Sequence, residues 1–375
     1  MPLPPPATEQ QPDHPGTVPA PPAVFHAEQA LLGALLLEPH RCGDITSIAP
    51  DSFSTADHRA VFTALSTLPA PDPAEHAKNA TWLDQVLATA GQQVRGLTAS
   101  YLHTLVQVCP RPQHAPAYAR MIEAEHARRR LHTAAARLAA TVHSLADTDP
   151  LQAVFTEADT LAAVVDDVAA RFPPRATVPP RTPVPAPAPA PGLAEAIEED
   201  QVLLATATAC PEDIEHTRWL VPGDFTHPLH AGLWQCLSAL ARRQEPVDPV
   251  TVLWEAQQQG LLDHGTPPEK VLQILSGPQV SVEHWAQRTL RRSLLATAQH
   301  TGRRIQAYAS DPATTPFQLV IGARRALADL DAVRTRWQHA CAPTPPPPPP
   351  PPPQPYPAPS PRTGPPTTST ARTLR

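Results

Sequence analysis

The sequence predicts an all-α protein: two similar helical globules, each followed by an antiparallel helical hairpin, with a disordered proline-rich arm, linker and tail. Three observations predict it. The stretch "DSFSTADHRAVFTAL" (51–65) returns in its main features as "GDFTHPLHAGLWQCL" (223–237). Apolar residues recur at steps of three and four along both halves, and no segment alternates with the period of two that a half-buried strand requires. The 53 prolines among 375 residues gather largely in three tracts, a composition that separates packed segments from stretches unable to pack.

Residues 1–22 form the proline-rich arm, opening "MPLPPPATEQQPDHPG". The first block, 23–171, starts with a helix carrying Glu28-Gln29 and Leu31-Leu32. A constant offset of 172 residues aligns these with Asp200-Gln201 and Leu203-Leu204 of the second block, 193–340. The same offset pairs Phe53 with Phe225, His58 with His230, Phe62 with Trp234, Leu65 with Leu237 and Leu68 with Leu240. Unrelated helices share apolar spacing. They do not share an acid-Gln pair, a phenylalanine and a histidine without a gap, so the chain is a tandem repeat. Ser54 and Thr226 stand where N-caps belong ahead of the periodic run, with Asp57 placed for a capping box in the first copy.

Each block then ends in two long helices. Leu131, Ala135, Leu138, Val142 and Leu145 step by four and three along one. Asp149-Pro150 supplies an N-cap and a proline at the first helical position, and Leu151, Val154, Ala158, Leu161, Val165 and Val168 mark the next. The second block repeats the plan through Leu290, Leu294, Ala298, Ile305 and Tyr308, then Thr315-Pro316, then Val320, Ala323, Leu327 and Leu330. Such seams close a hairpin on one face and offer another to a second subunit, which makes these leucines and Ile305 the candidate surface for self-association. Between the blocks, 172–192 reads as a semi-rigid polyproline linker that permits the copies to pair or to stay independent. The tail, 341–375, holds nine consecutive prolines, Pro345 to Pro353, an extended spacer of about 28 Å at ~3.1 Å per residue.

The residues of the first block resemble a known family. "AEQALLGALLLEPHRCGDITSIAPDSFSTADHRAVFTAL" is similar to the opening of the N-terminal domain of DnaB, the bacterial replicative helicase, where an acid-Gln pair begins the first helix and a Phe…His…large-aromatic run the third. "ASYLHTLVQVCPRPQHAPAYARMIEAEHARRRL" continues the likeness with Tyr101-Leu102, Leu105, Pro110 and Tyr118-Ala119; Trp285-Ala286 stands for Tyr118-Ala119 in the second copy. The second copy's "VDPVTVLWEAQQQGLLDHG" resembles the family's middle helix better than the first copy does. The first departs at the loop "PAPDPAEHAKNATW", and the second lacks, in "DQVLLATATA", the glycine that Gly33 supplies. The resemblance implies a helical globule and hairpin that associate in pairs and build a collar of three pairs, the place where primase and loader bind. The expected function is therefore a non-catalytic interaction module that binds a replicative helicase, a primase or a loader, or self-associates. The alternatives are an accessory subunit that borrows a motor in trans, and a DNA-binding accessory.

The rest of the sequence bears on what chemistry to expect. A phosphate-binding loop needs G-x-x-x-x-G-K-[ST], and neither lysine of the chain, Lys78 or Lys270, follows a glycine. No G-x-S-x-G nucleophile motif and no Cys-His pairing is visible. The five cysteines lack C-x-x-C spacing and read as reduced thiols. Among 17 histidines, His126 with His132 and His227 with His230 invite a metal, yet no H-E-x-x-H or Cys/His framework accompanies them. His58 and His230, at one repeat position, read as hydrogen-bonded structural histidines. No catalytic residue, cofactor or metal ligand is expected. Nor is a membrane partner, since no apolar run approaches the roughly 20 residues that cross a bilayer, and a cytoplasmic location is expected. The net charge of −6 argues against a nucleic-acid coat. Locally, however, residues 285–340 hold nine arginines against three aspartates, and Arg128, Arg129 and Arg130 form a shorter cluster. The ordinary reading is a solvated helix face. The alternative makes Arg291, Arg292, Arg303 and Arg304 contacts to phosphate or to an acidic partner.

Overall fold

Helices fall where the apolar periods place them in the computed structural model, which describes residues 21–142, 150–173, 178–187, 192–262, 266–277 and 280–342. The first repeat runs α1 (Ala23–Leu37), two 3-10 turns (Pro39–Asp44 and Pro50–Ser52), α2 (Ala56–Thr67), α3 (Pro73–His76), α4 (Thr81–Gly91), α5 (Ala99–Val108), α6 (Ala115–Thr141) and α7 (Pro150–Arg171). The second runs α8 (Leu193–Ala209), 3-10 turns Pro211–Thr217 and Pro222–Asp224, α9 (Pro228–Arg243), α10 (Pro249–Gln258), α11 (Pro268–Leu275), α12 (Val282–Ser310) and α13 (Pro316–Cys341). No strand occurs among the described residues. Both orders match apart from two short extras in the first copy, the turn Pro112–His114 before α6 and α3, which sits in the altered loop. Pro228 follows Ala56 by 172 residues, whereas Val282 follows Ala115 by only 167, because that loop is longer in the first copy. The arm up to residue 20, Leu145, Asp149 and the tail beyond residue 342 lie outside the described residues.

The expected N-caps are one residue off. Thr55 caps α2, its Oγ1 accepting from the His58 amide at 3.2 Å. This leaves Asp57 at the second helical position, out of register for a capping box. In the second copy His227 caps α9, Nδ1 accepting from the Leu229 amide at 3.1 Å, with Pro228 at the first helical position. The reason lies in the core. The Ser54 amide donates to Glu28 Oε1 at 2.7 Å, and the Thr226 amide to Asp200 Oδ2 at 3.0 Å. In the first copy the Ser54 hydroxyl also turns inward, donating to Glu28 Oε2 at 2.9 Å, so the Thr55 hydroxyl serves the helix start instead.

The glycine missing from the second copy has moved across a contact. In the first head α1 crosses α5 at Gly33, where a Cβ would meet the Leu105 carbonyl oxygen and stand 2.8 Å from Cys109 Cβ. In the second, Ala205 occupies the position of Gly33, and the clearance comes from Gly277, whose own Cβ would lie 2.9 Å from that of Ala205. Either way one partner of the pair gives up its side chain, and the two helices keep their close approach.

The hairpins of both repeats meet in one four-helix bundle. Gln287 Nε2 donates to the Ala340 carbonyl at 3.0 Å and Thr301 Oγ1 to that of Ala326 at 3.2 Å, which sets α12 antiparallel to α13. Arg130 pairs with Asp167 between α6 and α7. The two hairpins then join through both helices of each. Arg324 reaches Asp166 at 2.9 Å and Arg334 reaches Asp159 at 2.5 Å, running α13 antiparallel to α7. α6 packs on α12 so closely that a Cβ on Gly302 would lie 2.7 Å from the Ala135 carbonyl oxygen and 2.9 Å from Ala139 Cβ and N. Arg128 closes this crossing by donating to the carbonyls of Ala309 (3.3 Å), Asp311 (2.6 Å) and Thr314 (2.7 Å), at the end of α12 and in the turn that follows it. A guanidinium at a helix C-terminus also complements the negative end of its dipole.

One continuous apolar core runs through this bundle into the second head; the first head keeps a core of its own around Leu31, Phe53, Leu105 and Ile122. The described part of the linker, 178–187, lies against the bundle. Thr182 Oγ1 donates to Asp311 Oδ2 at 2.6 Å and stands 3.0 Å from Thr314 Oγ1, while Gln318 Nε2 donates to the Pro179 carbonyl at 3.4 Å.

Candidate interaction surfaces

The repeat-signature residues build one buried node per head. In the first, Glu28 and His58 are fully buried and His58 Nδ1 lies 2.6 Å from Glu28 Oε2, which also accepts from Ser54 Oγ at 2.9 Å. Half-buried Gln29 and Tyr118 flank the same helices. Phe53 stacks on Phe62 with centroids 4.8 Å apart, and Tyr101 lies over His58 at 6.3 Å. Burial, then the nearby carboxylates of Asp57 and Glu28, push the Tyr101 hydroxyl up to about 12.

The second node repeats the geometry with different chemistry. Phe225 meets Trp234 at 5.6 Å, and His230 Nδ1 stands 3.8 Å from Asp200 Oδ2, beyond hydrogen-bond reach. Arg292 takes over as the partner of Asp200, with Thr289 Oγ1 donating to Oδ1 at 3.3 Å. Gln201 and Trp285 are half-buried, Trp285 under the Arg288 guanidinium. A shorter acid thus goes with an arginine in place of the histidine contact.

The hairpin residues Leu131, Leu138, Leu151, Leu161, Leu294, Ile305, Leu327 and Leu330 are all buried inside the four-helix bundle of a single chain. Each fully buried aliphatic side chain of this size contributes about 1.5–3 kcal/mol relative to exposure. Of the nine arginines on α12 and α13, six meet carboxylates. Arg288 and Arg292 bind Glu199, Arg304 binds Asp329 and Arg336 binds Asp224, beside the two that cross to α7. Arg291, Arg303 and Arg325 have no acidic partner among the described residues. The four arginines proposed for phosphate or an acidic partner therefore divide, Arg292 and Arg304 tied into the fold and Arg291 and Arg303 open.

Three surface features were not legible in the sequence. The first two are clefts at the same repeat position. One, of about 510 Å³, lies between the turn Pro39–Asp44 and α2 and is lined by Cys42, Ile45, Ile48, Phe62 and Ser66. The other, about 390 Å³, is lined by Ile214, Thr217, Leu220, Trp234 and Ser238, each residue 172 places on. The third belongs to the second head alone: Val250 and Trp254 on α10 are 66% and 61% exposed beside Arg243, which is held between Glu245 and Glu255. Alternation of exposed apolar residues on a short helix carries no sequence signal of its own. Among the described residues no group of three or more His, Cys, Asp or Glu is arranged to hold a metal, and no helix is long and apolar enough to cross a membrane.

Two helical heads carrying the same acid-centred node, with their hairpins joined in one bundle, define an all-α tandem-domain protein. The chain belongs to the DnaB-like helicase N terminal domain family, whose model matches residues 20–124 and again 193–288, together more than half of the sequence. Both matches stop early in the long helices α6 and α12, so the family pattern covers each head and the start of each hairpin. No curated protein and no solved structure matches the chain.

Proposed function

We infer that this chain is a non-catalytic docking and assembly protein of the replication apparatus, a collar-type platform that binds a replicative helicase, a primase or a helicase loader and assembles with copies of itself. The observation that supports this reading is the four-helix bundle built by the hairpins of both repeats. The family resemblance implies pairing between hairpins, and here the paired hairpins, within 23–171 and 193–340, belong to one chain. Three chains then supply the six heads of a collar. Because the hairpin leucines are already covered, further assembly runs through the heads, where the paired clefts and the Trp254 surface are open.

Light scattering on the purified chain, with pull-downs against a replicative helicase, a primase and a loader, tests the reading. A mass of three chains, or capture of one of those partners, supports it. A monomer at every concentration that captures none of the three overturns it. The accessory-subunit reading is separated by mixing the chain with a motor protein: stimulated ATP hydrolysis is its signature. DNA contact through the second hairpin has less support, since Arg292 and Arg304 already serve carboxylates.

A further inference from the structure

The first hairpin carries an open cationic trough that the collar reading does not use. It is about 370 Å³ in volume and lies between α6 and α7, with Asp51 at one end. His126, Arg130, Thr133 and Arg137 line it from successive turns of one face of α6, with Arg129 beside them and Thr160 facing from α7. From residue 126 to residue 137 the row extends about 16 Å at ~1.5 Å per residue.

Its electrostatics differ from those of the second hairpin. Arg129 spends one NH2 hydrogen on the Ser52 carbonyl at 2.6 Å, and Arg137 has no acidic partner among the described residues. The acids nearby are shared. Asp167 serves both Arg130 and Arg171, and Asp51 stands 3.8 Å from Arg59. Five arginines (59, 129, 130, 137 and 171) therefore face two aspartates in a chain whose net charge is −6. The His126 imidazole registers the resulting field. Its pKa is held below the ordinary value first by burial and then by Arg129, Arg130 and Arg171.

The geometry points to a binding site for phosphate oxyanions in this trough, with the backbone of a nucleic-acid strand lying along α6 as their source. Guanidinium groups engage phosphate in bidentate fashion, and the exposed hydroxyl of Thr133 is placed to donate to a remaining oxygen, while that of Thr160 donates to the Thr156 carbonyl at 2.8 Å. A row of about 16 Å spans several phosphates at roughly 3.4 Å rise per nucleotide. No Phe, Tyr or Trp lines the trough, so it offers no platform for stacking bases. Contact is with the backbone, indifferent to sequence and steeply dependent on salt.

The test uses the full chain and a labelled 20-nucleotide single strand of mixed sequence, followed by fluorescence anisotropy from about 50 to 200 mM salt. Arg129→Ala/Arg137→Ala weakens binding about tenfold or more and reduces the salt slope by about 1.4, at ~0.7 for each lost contact to a single strand. Arg291→Ala/Arg303→Ala leaves affinity within about twofold. Arg137→Glu alone, on an exposed side chain, gives a loss in the same direction and guards against a folding defect in the double variant; circular dichroism melts verify each variant. Inorganic pyrophosphate added as competitor displaces the strand. Three results overturn the proposal: no binding of the strand at the lowest salt, equal binding by the Arg129/Arg137 variant and the parent, or binding of pyrophosphate without any of the strand.

Discussion

Replacing Gly302 by alanine tests whether the two hairpins are fused into one bundle. On helix propensity alone the change stabilises α12 by up to about 1 kcal/mol. The α6 contact opposes it. The new methyl would stand 2.7 Å from the Ala135 carbonyl oxygen and 2.9 Å from the Ala139 amide nitrogen and Cβ. Two of those three are backbone atoms of a helix, and no rotamer change moves them aside. The helices must separate by several tenths of an ångström along a seam packed with alanines, and overpacking of this kind costs about 1–3 kcal/mol. The net expectation is a loss of about 1–2 kcal/mol, read as a Tm lower by roughly 3–6 °C. Gly91→Ala at the end of α4 is the control, because nothing lies within 4 Å of its Cβ. Thermal melts by circular dichroism decide. If Gly302→Ala is as stable as the parent, or gains what Gly91→Ala gains, α6 and α12 do not touch in solution and the fused bundle is wrong.

The remaining expectations follow from the nodes, the histidines and the thiols. Asp200→Ala leaves Arg292 on Glu199 alone and removes the acceptor of the Thr226 amide and of Thr289 Oγ1, costing about 1–3 kcal/mol for each buried donor left unpaired in urea unfolding. Glu28→Gln keeps an acceptor for the Ser54 amide and costs about 1–3 kcal/mol in all; a smaller loss for Asp200→Ala than for Glu28→Gln would contradict the role given to Asp200. His126, His227 and His300 are held below the ordinary imidazole pKa, chiefly by burial and then by Arg129, His230 and Arg304 respectively. The unfolded chain therefore takes up protons first as pH falls, so stability is full above the unfolded imidazole range and declines from about pH 7 towards pH 5. A second fall comes near the ordinary carboxylate range as Asp167 and Asp311, both depressed by hydrogen bonds from Arg130 and Thr182, become protonated. Melts across pH check both, and replacing the three histidines with glutamine should flatten the first. Burial pushes the Cys236 thiol up to about 12, so iodoacetamide at pH ~8 should label exposed Cys341 first and reach Cys236 only on unfolding; mass spectrometry reads the order.

The duplication and the hairpins were legible because both are local. A period of three and four names a helix face from the helix itself, and Leu294, Ala298, Ile305 and Tyr308 are buried as that period requires. The paired Phe53/Phe225 and His58/His230 named the repeat without any structure. The caps fall one residue beyond where the local pattern puts them, while Ser54 and Thr226 answer to acids 26 residues earlier in the chain, a pull invisible in that pattern. Arginine chemistry was hidden for the same reason at longer range. Arg292 finds Asp200, Arg336 finds Asp224 and Arg334 finds Asp159, all outside residues 285–340. A count along a helix sees only the acids on that helix. The composition of the linker gave no sign that Thr182 would be held by the turn between α12 and α13, since one hydroxyl among prolines has no pattern.

The displaced glycine has a consequence for mixing the two heads. A crossover that spliced the first copy's α1 onto the second copy's α11 would bring Gly33 to Gly277 and leave a void. The opposite product would press the Ala205 methyl into the Cys109 side chain. Either hybrid head loses packing at this crossing, one by a cavity and the other by a clash. A single methyl group, set on opposite sides of one crossing, thus makes the two halves non-interchangeable at this contact.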